Sequence, residues 1–249
     1  MMLKYIFQKH LNKYFPLQNM KEVMIISLGG SLIIPDTINE KLLIEFKQVL
    51  LKNKKKYKFV VVCGGGKTAR NYIHGLEKTN IKNKELLQTS LGMHCTRLNA
   101  KFMIYFFGEK STNQQIPADM HAVKESLEKN DIVFCGALRY SKEQTSDATS
   151  AALAQYLNAK FINITDVAGL YNKNPKKHKN AQFIPYISLK DFFALTQKMK
   201  FHPGQHFVLD QQAAVIIKKH TIKTCIIGPD MKNFDNFLNK KHFVGTMIE

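Results

Sequence analysis

The sequence has 249 residues, of which 45% are hydrophobic, and its formal net charge at pH 7 is +18. This length suffices for one α/β domain with a full core, and no apolar run approaches the roughly 20 residues that a membrane-spanning helix requires. The charge suggests a polyanionic partner, but the lysines are spread over predicted turns and helix ends, which favours a solvated basic surface. We therefore expect neither nucleic-acid nor membrane binding.

Continuous apolar runs, typical of strands buried on both faces, alternate with helical patterns along the chain. The predicted strands are 23–28, 58–63, 132–135, 160–164 and 223–227. The predicted helices have apolar positions at helical spacing and are 39–52, 67–77, 85–107, 146–157, 188–198 and 209–219. This alternation predicts an α/β sandwich with a mostly parallel sheet, in which ligands gather at the carboxyl ends of the strands.

The ends of the chain and the cysteines bear on its organisation and location. Residues 1–22 are predicted to be an N-terminal extension or a short amphipathic surface helix, followed by one domain at 23–249. Polar residues interrupt the apolar stretch in 1–20 and no small-residue cleavage site follows, so a secretory signal is not expected. The cysteines share no CxxC spacing, which indicates neither zinc nor disulfides; they are Cys63, Cys95, Cys135 and Cys225. Reduced, buried thiols predict a cytoplasmic protein.

Two glycine-rich turns each follow a predicted strand directly, Gly-Gly-Ser at 29–31 and Gly-Gly-Gly-Lys at 64–67. Glycine lets backbone N–H groups approach a phosphate without a Cβ atom in the way, and a helix that begins after the turn adds the positive end of its dipole. Neither turn matches the GxxxxGK or GxGxxG fingerprint, which argues against a nucleoside-triphosphatase loop and a dinucleotide site. Two such turns indicate paired phosphate sites.

Three further segments carry candidate chemistry. Thr145-Ser146-Asp147 opens an alanine-rich helix, a pattern that by itself is an ordinary helix cap. Residues 165–171, continuing to Asn174-Pro175, end a strand in a polar turn that either contacts a nucleobase or only reverses the chain. Asp210 lies at the start of the last predicted helix, after Pro203-Gly204.

Seven segments, in this order and spacing, resemble the amino acid kinase family and, within it, the archaeal-type UMP kinases. The resemblance runs from about Val23 to the C-terminus. The segments that carry it are IISLGGSLIIP (25–35), VVVCGGGKTARNYI (60–73), LGMHCTRLNAKFM (91–103), TSDATSAALAQYLNAK (145–160), TDVAGLYNKNPKK (165–177), VLDQQAAVII (208–217) and VGTMIE (244–249).

The resemblance implies a three-layer αβα sandwich with a mostly parallel central sheet, the amino acid kinase fold. It implies transfer of the γ-phosphoryl group of ATP to UMP with Mg²⁺, in pyrimidine nucleotide biosynthesis, by a homo-oligomer that is usually a hexamer. The part of the domain before about residue 140 would bind the acceptor, and the part after it would bind ATP. Opposing anion sites suit this chemistry, since both substrates carry phosphate charge that must be offset while they are held in line.

Site residues follow from the resemblance position by position. Asp147 matches the acid that orients the catalytic cation, and Arg70 is placed for a fork-like grip on phosphate. The residues expected to bind ATP are Ser27, Leu28, Gly29, Gly30, Ser31, Gly66, Arg70, Thr165, Tyr171 and Asn174. The residues expected to bind UMP, with the 136–146 stretch as acceptor loop, are Gly65, Thr89, Gly136, Thr145 and Ser146. No protein side chain is expected to ligate a metal.

The chain also departs from the family pattern. Relatives often carry a lysine where Ser27 stands, and a serine cannot replace its charge. The cation would then have to come from Lys67, Lys173 or Lys218. Thr89 stands where relatives have an acid that contacts the ribose. Further departures are Val215 in place of a lysine, and Ala168 and Asn174 in place of aspartates.

Two alternatives stay open. One is a kinase of another small phosphate, such as isopentenyl phosphate, or of a carboxylate; that phosphate kinase uses a histidine near the acceptor, and His94, His202 and His206 are available outside a matching glycine loop. The other is a catalytically weakened nucleotide-binding or regulatory protein, which the residues at 27, 89 and 215 motivate.

Overall fold

The computed structural model describes residues 21–108, 110–138, 145–198 and 208–249. The predicted N-terminal extension up to residue 20, positions 139–144 of the expected acceptor loop, and the segment 199–207 with His202, His206 and Pro203-Gly204 lie outside the described residues.

Nine strands and nine helices occur in the described residues. The strands are β1 (Glu22–Leu28), β2 (Tyr57–Cys63), β3 (Ile132–Cys135), β4 (Lys160–Ile164), β5 (Leu170–Tyr171), β6 (Phe183–Ile184), β7 (Tyr186–Ile187), β8 (Thr224–Ile227) and β9 (Gly245–Ile248). The helices are α1 (Gly30–Ile33), α2 (Glu40–Asn53), α3 (Gly66–Glu77), α4 (Lys84–Phe107), α5 (Met120–Lys129), α6 (Ser146–Tyr156), α7 (Leu189–Lys198), α8 (Gln211–His220) and α9 (Met231–Leu238).

Seven strands form the central sheet in the order β3-β2-β1-β4-β8-β9-β7. The first five in this order are mutually parallel, β9 is antiparallel to β8, and β7 is parallel to β9. Strands β5 and β6 form a separate hairpin. The chain order changes direction at β1, whose neighbours are β2 on one side and β4 on the other, so β1 lies at a topological switch point.

The strand register aligns the carboxyl ends of the five parallel strands. Leu28 is opposite Cys63 on one side and Ile164 on the other, and Ile164 is opposite Ile227. The residues that follow these strands therefore lie along one edge of the sheet, and across the sheet they are Gly136, Gly64, Gly29, Thr165 and Gly228. Four of the five are glycines.

Helices cover both faces of the sheet, which confirms the predicted three-layer sandwich. One core contains Phe46 from α2, Ile104 from α4 and Phe234 from α9. The other contains residues of α5, α6, α7 and α8, with alanines from α6 packing against alanines from α8. These buried alanines are Ala151, Ala154, Ala213 and Ala214. Among the described residues, no helix is long and apolar enough to cross a membrane.

All five predicted strands and all six predicted helices are present, with boundaries shifted by two residues or fewer. The prediction missed α1, α5, α9, the hairpin strands and the last two strands of the sheet, β9 and β7. Most of these elements are too short for a periodic pattern. In α9 a local signal existed, because Asp230 caps the helix by accepting from the Lys232 and Asn233 amides, and Phe234 and Leu238 are buried.

Candidate active site

The two glycine turns contact each other through their backbones. The Gly64 amide donates to the Leu28 carbonyl at 3.0 Å, and the Lys67 amide donates to the Ile34 carbonyl at 3.0 Å. A Cβ atom added to Gly30 would lie 2.1 Å from the Gly66 nitrogen, and one added to Gly64 would lie 2.4 Å from the Gly30 nitrogen. Only glycine permits this approach, so the turns form one continuous backbone surface.

The second turn opens α3 with free amide donors. Gly66 has a φ of +65°, in the left-handed region that favours glycine. Among the described residues, the amides of Gly65 and Gly66 donate to no protein acceptor. Because α3 is 12 residues long, its dipole adds positive potential at these amides. The turn therefore suits an anionic phosphate oxygen.

Helix α4 supports the second turn and the end of β3. The Asn99 side-chain amide donates to the Gly64 carbonyl at 2.7 Å. The Thr96 hydroxyl accepts from the Ala137 amide at 2.8 Å, and Arg97 Nε donates to the Ala137 carbonyl at 3.0 Å. Sequence reasoning assigned no role to these three residues. A signal was present, since polar Thr96 and Asn99 lie on the same face as buried Ala100 and Met103.

Across β1, a polar cluster faces the first glycine turn. Ser27 is 1% exposed, and its hydroxyl donates to Asp147 Oδ1 at 2.7 Å. Thr145 caps α6 by accepting from the Ala148 amide at 3.0 Å, which places Asp147 in the first turn of the helix. The Thr145 hydroxyl also donates to Asp210, which in turn caps α8 by accepting from the Ala213 amide at 2.8 Å. Two helix caps therefore bring the carboxylates of Asp147 and Asp210 to one place.

The environment of Asp147 disfavours its negative charge. Burial, followed by repulsion from Asp210, raises the pKa of Asp147 to about 7, although the hydrogen bond from Ser27 lowers it. Within the described part of the chain, neither carboxylate forms an ion pair. The cluster therefore has an excess of negative charge that a cationic ligand would offset.

The three residues expected to bind the ATP nucleoside line one cavity of about 340 Å³, which lies beyond the end of β4; they are Thr165, Tyr171 and Asn174. The Tyr171 ring packs edge-on against Phe183 with 5.4 Å between centroids. Asn174 shapes the far wall, since its side chain accepts from the Lys176 amide at 2.9 Å. The other lining residues include four basic ones, Lys173, Lys176, Lys177 and His178, and Asp166, which pairs with Lys176. The positive excess suits a polyphosphate.

The remaining predicted residues lie around these groups. Arg70 is exposed on α3, one turn beyond the second glycine turn, and Thr89 is half-buried on α4, two turns before Thr96. Gly136 packs closely against α4, because a Cβ atom added to it would be 2.6 Å from the Arg97 nitrogen. Ser31 and Ser146 lie in the first turns of α1 and α6. The Leu28 side chain is fully buried, so Leu28 contributes to the site through its carbonyl, which accepts a hydrogen bond from the Gly64 amide.

The structure separates the three candidate replacement lysines. Lys218 is in the last turn of α8, about 12 Å along the helix from Asp210. Its Nζ lies 3.9 Å from the centre of the Phe193 ring. Because it is far from the Ser27 cluster and engaged elsewhere, Lys218 is removed as a candidate. Lys67 lies beside both glycine turns, with its Nζ 3.5 Å from Asp36. Lys173 lines the nucleoside cavity. Val215, at another usual lysine position, is exposed on α8.

The sequence model of the amino acid kinase family matches residues 22–228. The chain belongs to this family. A uridylate kinase of Thermococcus sibiricus is 31% identical over 228 residues, which cover 91% of this chain and 99% of the relative. The uridylate kinase structure from Archaeoglobus fulgidus superposes with a TM-score of 0.79 at 30% identity and covers 91% of this chain and 99% of that one. The UMP kinase from Ureaplasma parvum, at 20% identity and a TM-score of 0.72 over 92% of this chain and 99% of that one, shows the shared amino acid kinase fold. The predicted family is thus confirmed.

Proposed function

We propose that this amino acid kinase is a cytoplasmic UMP kinase, which transfers the γ-phosphoryl group of ATP to UMP and so serves pyrimidine nucleotide synthesis. The observation that carries the proposal is the direct contact between the two glycine turns, because it brings two anion sites together at a topological switch point. The names of the relatives that match over nearly the whole chain support UMP as the acceptor.

The two substrates would approach from opposite sides of the turns. The ATP nucleoside would occupy the cavity lined by Tyr171 and Asn174, with its phosphates along the first turn at Gly29 and Gly30. The UMP phosphate would bind the amides of the second turn. Arg70, one turn into α3 and expected from the resemblance to bind ATP, would lie beside both phosphates. The two phosphates would then meet in line near Gly66, which supplies the orientation that phosphoryl transfer requires.

No general base is needed at the acceptor, since a phosphate oxygen of UMP is already a deprotonated nucleophile. The work of the chain is to position the substrates and offset charge. Mg²⁺, bound with ATP, supplies the positive charge that the serine at 27 does not. This proposal departs from the expectation that no side chain ligates a metal. Asp147 and Asp210 would be two oxygen ligands with uncompensated charge, and Mg²⁺ commonly uses one or two carboxylates and the substrate phosphates.

We further propose that the protein is a homo-oligomer, in line with the hexamer that the resemblance implies. The outer face of α3 and α4 supports a subunit contact, because it exposes large apolar side chains that a monomer gains nothing by displaying. Tyr72 is 58% exposed and Leu98 is 62% exposed, and Leu86 and Leu87 lie on the same helix pair.

A coupled assay of ADP release with ATP and Mg²⁺ tests the function over UMP, CMP, GMP, AMP and isopentenyl phosphate. We expect turnover with UMP far above that with the other acceptors. Turnover restricted to another acceptor would overturn UMP specificity. The absence of any turnover, together with nucleotide binding in calorimetry, would favour the regulatory alternative, which Ser27 beside an unpaired Asp147 supports.

A further inference from the structure

Arginine is rare in this chain and its positions are informative. Of the 37 basic residues only three are arginines, namely Arg70, Arg97 and Arg139. Where charge alone is needed this sequence uses lysine, so an arginine points to a position where the planar fork of donors matters. Arg139 lies outside the described residues. Arg70 already has a proposed role at the acceptor, and Arg97 has none.

Arg97 lies against the start of the acceptor loop. Gly136 packs directly on its backbone, and Arg97 Nε donates to the Ala137 carbonyl at 3.0 Å. The neighbouring Thr96 hydroxyl accepts from the Ala137 amide at 2.8 Å. The side chain therefore contacts the first residues after β3.

The same turns of α4 carry the second glycine turn. A Cβ atom on Gly65 would lie 3.6 Å from the Gly92 carbonyl and 3.7 Å from Cys95 Cβ. Gly65 and Gly136, both expected to contact the acceptor, thus pack on one segment of α4 between Gly92 and Arg97. Arg97 is half-buried at the end of that segment.

The Nε bond leaves most of the guanidinium available. Within the described residues, neither Nη group of Arg97 makes a hydrogen bond and no carboxylate pairs with it. A half-buried guanidinium with its outer edge unengaged matches the bidentate geometry of a phosphate monoester.

We propose that Arg97 binds the phosphate monoester of the acceptor through its Nη groups, while its Nε fixes the loop after β3. The inference rests on the proposed function and deepens it. Arg97 and Arg70 together place two guanidinium groups on the acceptor side of a site that has a serine at position 27.

The test compares Arg97→Met and Arg97→Lys with the wild-type protein, using Lys101→Met as the matched control. Lys101 is on the same helix, but its Nζ lies 4.7 Å from the centre of the Tyr105 ring and donates to the Gln114 carbonyl. Binding of UMP and ATP is measured by calorimetry, and binding of uridine by ligand-detected NMR.

We expect Arg97→Met to raise the Kd for UMP about 10- to 100-fold. Binding of ATP should not change, and binding of uridine should weaken far less than that of UMP, because uridine lacks the phosphate. Arg97→Lys should lie between, since it keeps the charge and loses the fork. Lys101→Met should bind UMP like the wild type.

An unchanged Kd for UMP in Arg97→Met would overturn the inference and leave the proposed function standing. Equal weakening of UMP and uridine would also overturn it, because that pattern belongs to a residue that only shapes the loop. If the wild-type protein neither binds nor phosphorylates UMP, the proposed function falls together with the inference. If Arg97→Met does not fold, Arg97→Lys serves as the test: weaker UMP binding supports the inference, and an unchanged Kd for UMP overturns it.

Discussion

On the acceptor side of the candidate site, the backbone of the second glycine turn packs on the backbone of the first; on the donor side, a cavity of about 340 Å³ is lined by side chains. The acceptor side depends on glycines whose Cβ atoms would collide with main-chain atoms that have no room to move. The donor side has Tyr171, Asn174 and several lysines, each of which can change rotamer.

The contrast indicates how tolerant each side is to change. Packing against backbone is rigid, so a substitution there should affect the fold as well as turnover. A wall of side chains is adaptable, so a substitution there should affect the affinity for one substrate only. Between the two sides, the cluster around Asp147 should respond to pH.

The largest effect is expected where the two glycine turns meet, from Gly30→Ala. The new Cβ atom would lie 2.1 Å from the Gly66 nitrogen, so the two turns must separate. We expect a loss of about 3 kcal/mol or more in the free energy of unfolding, measured with urea, and loss of turnover. The control is Gly75→Ala in the last turn of α3, where no atom outside the helix's own backbone lies within 4 Å of the added Cβ, and it should stabilise the protein by up to about 1 kcal/mol. Equal stability of Gly30→Ala and wild type would refute the rigid contact.

The second-largest effect is expected between the two sides, from Asp147→Asn. Turnover should fall by about 100-fold or more, because the carboxylate would help to hold the cation that offsets the charge of the transferred phosphoryl group. The stability of the fold should rise at high pH, although turnover falls. The folded pKa of about 7 lies above the ordinary value near 3.9, so the folded state keeps the proton between these values and the charge destabilises it at higher pH.

Asp147→Asn should therefore raise the melting temperature at pH 8 and leave it nearly unchanged at pH 4. Asp235→Asn is the control, because the pKa of Asp235 is lowered whereas that of Asp147 is raised. Burial alone would raise the pKa of Asp235, but hydrogen bonds from Lys52 and Asn53 lower it, so its charge stabilises the fold and its loss should lower the melting temperature at pH 8. A melting temperature of Asp147→Asn below that of wild type at pH 8 would contradict the assignment.

A smaller, selective effect is expected on the donor side, from Tyr171→Ala. Loss of the aromatic wall should raise the KM for ATP by about 10-fold and leave the KM for UMP unchanged. Tyr186→Ala removes a tyrosine that is 58% exposed on β7 and should alter neither constant. A parallel rise in the KM for UMP would show that the two sides are not separate.

The smallest effect is expected from Ser27→Ala. The hydrogen bond from Ser27 lowers the pKa of Asp147, so its loss should raise that pKa further. The acid limb of kcat/KM should then move to higher pH, by up to about one unit. The double variant with Asp147→Asn should show no such limb. A shift to lower pH would mean that another group controls the profile.

Much of the fold could be predicted from the sequence because its main strands are continuous apolar runs that are buried on both faces. Strands β7 and β9 escaped the prediction, since β7 has only two residues and β9 begins with Gly245 and Thr246 and lacks a continuous apolar run. In the site, most of the predicted residues belong to motifs next to a strand end or a helix cap; Thr89, inside α4, was taken from the resemblance alone. Asn99 and Arg97 escaped because they act from the middle of a long helix on loops that are 35 and 40 residues away in the chain.

The sequence by itself determined the glycine turns, the helix that opens after the second one, and the cap at Thr145, because these depend on neighbouring residues and backbone geometry. The tertiary structure alone decided that the two turns touch, and that the serine at 27 meets an aspartate 120 residues later. Such contacts are set by strand order and register, which bring the ends of parallel strands to one edge whatever their separation in the chain.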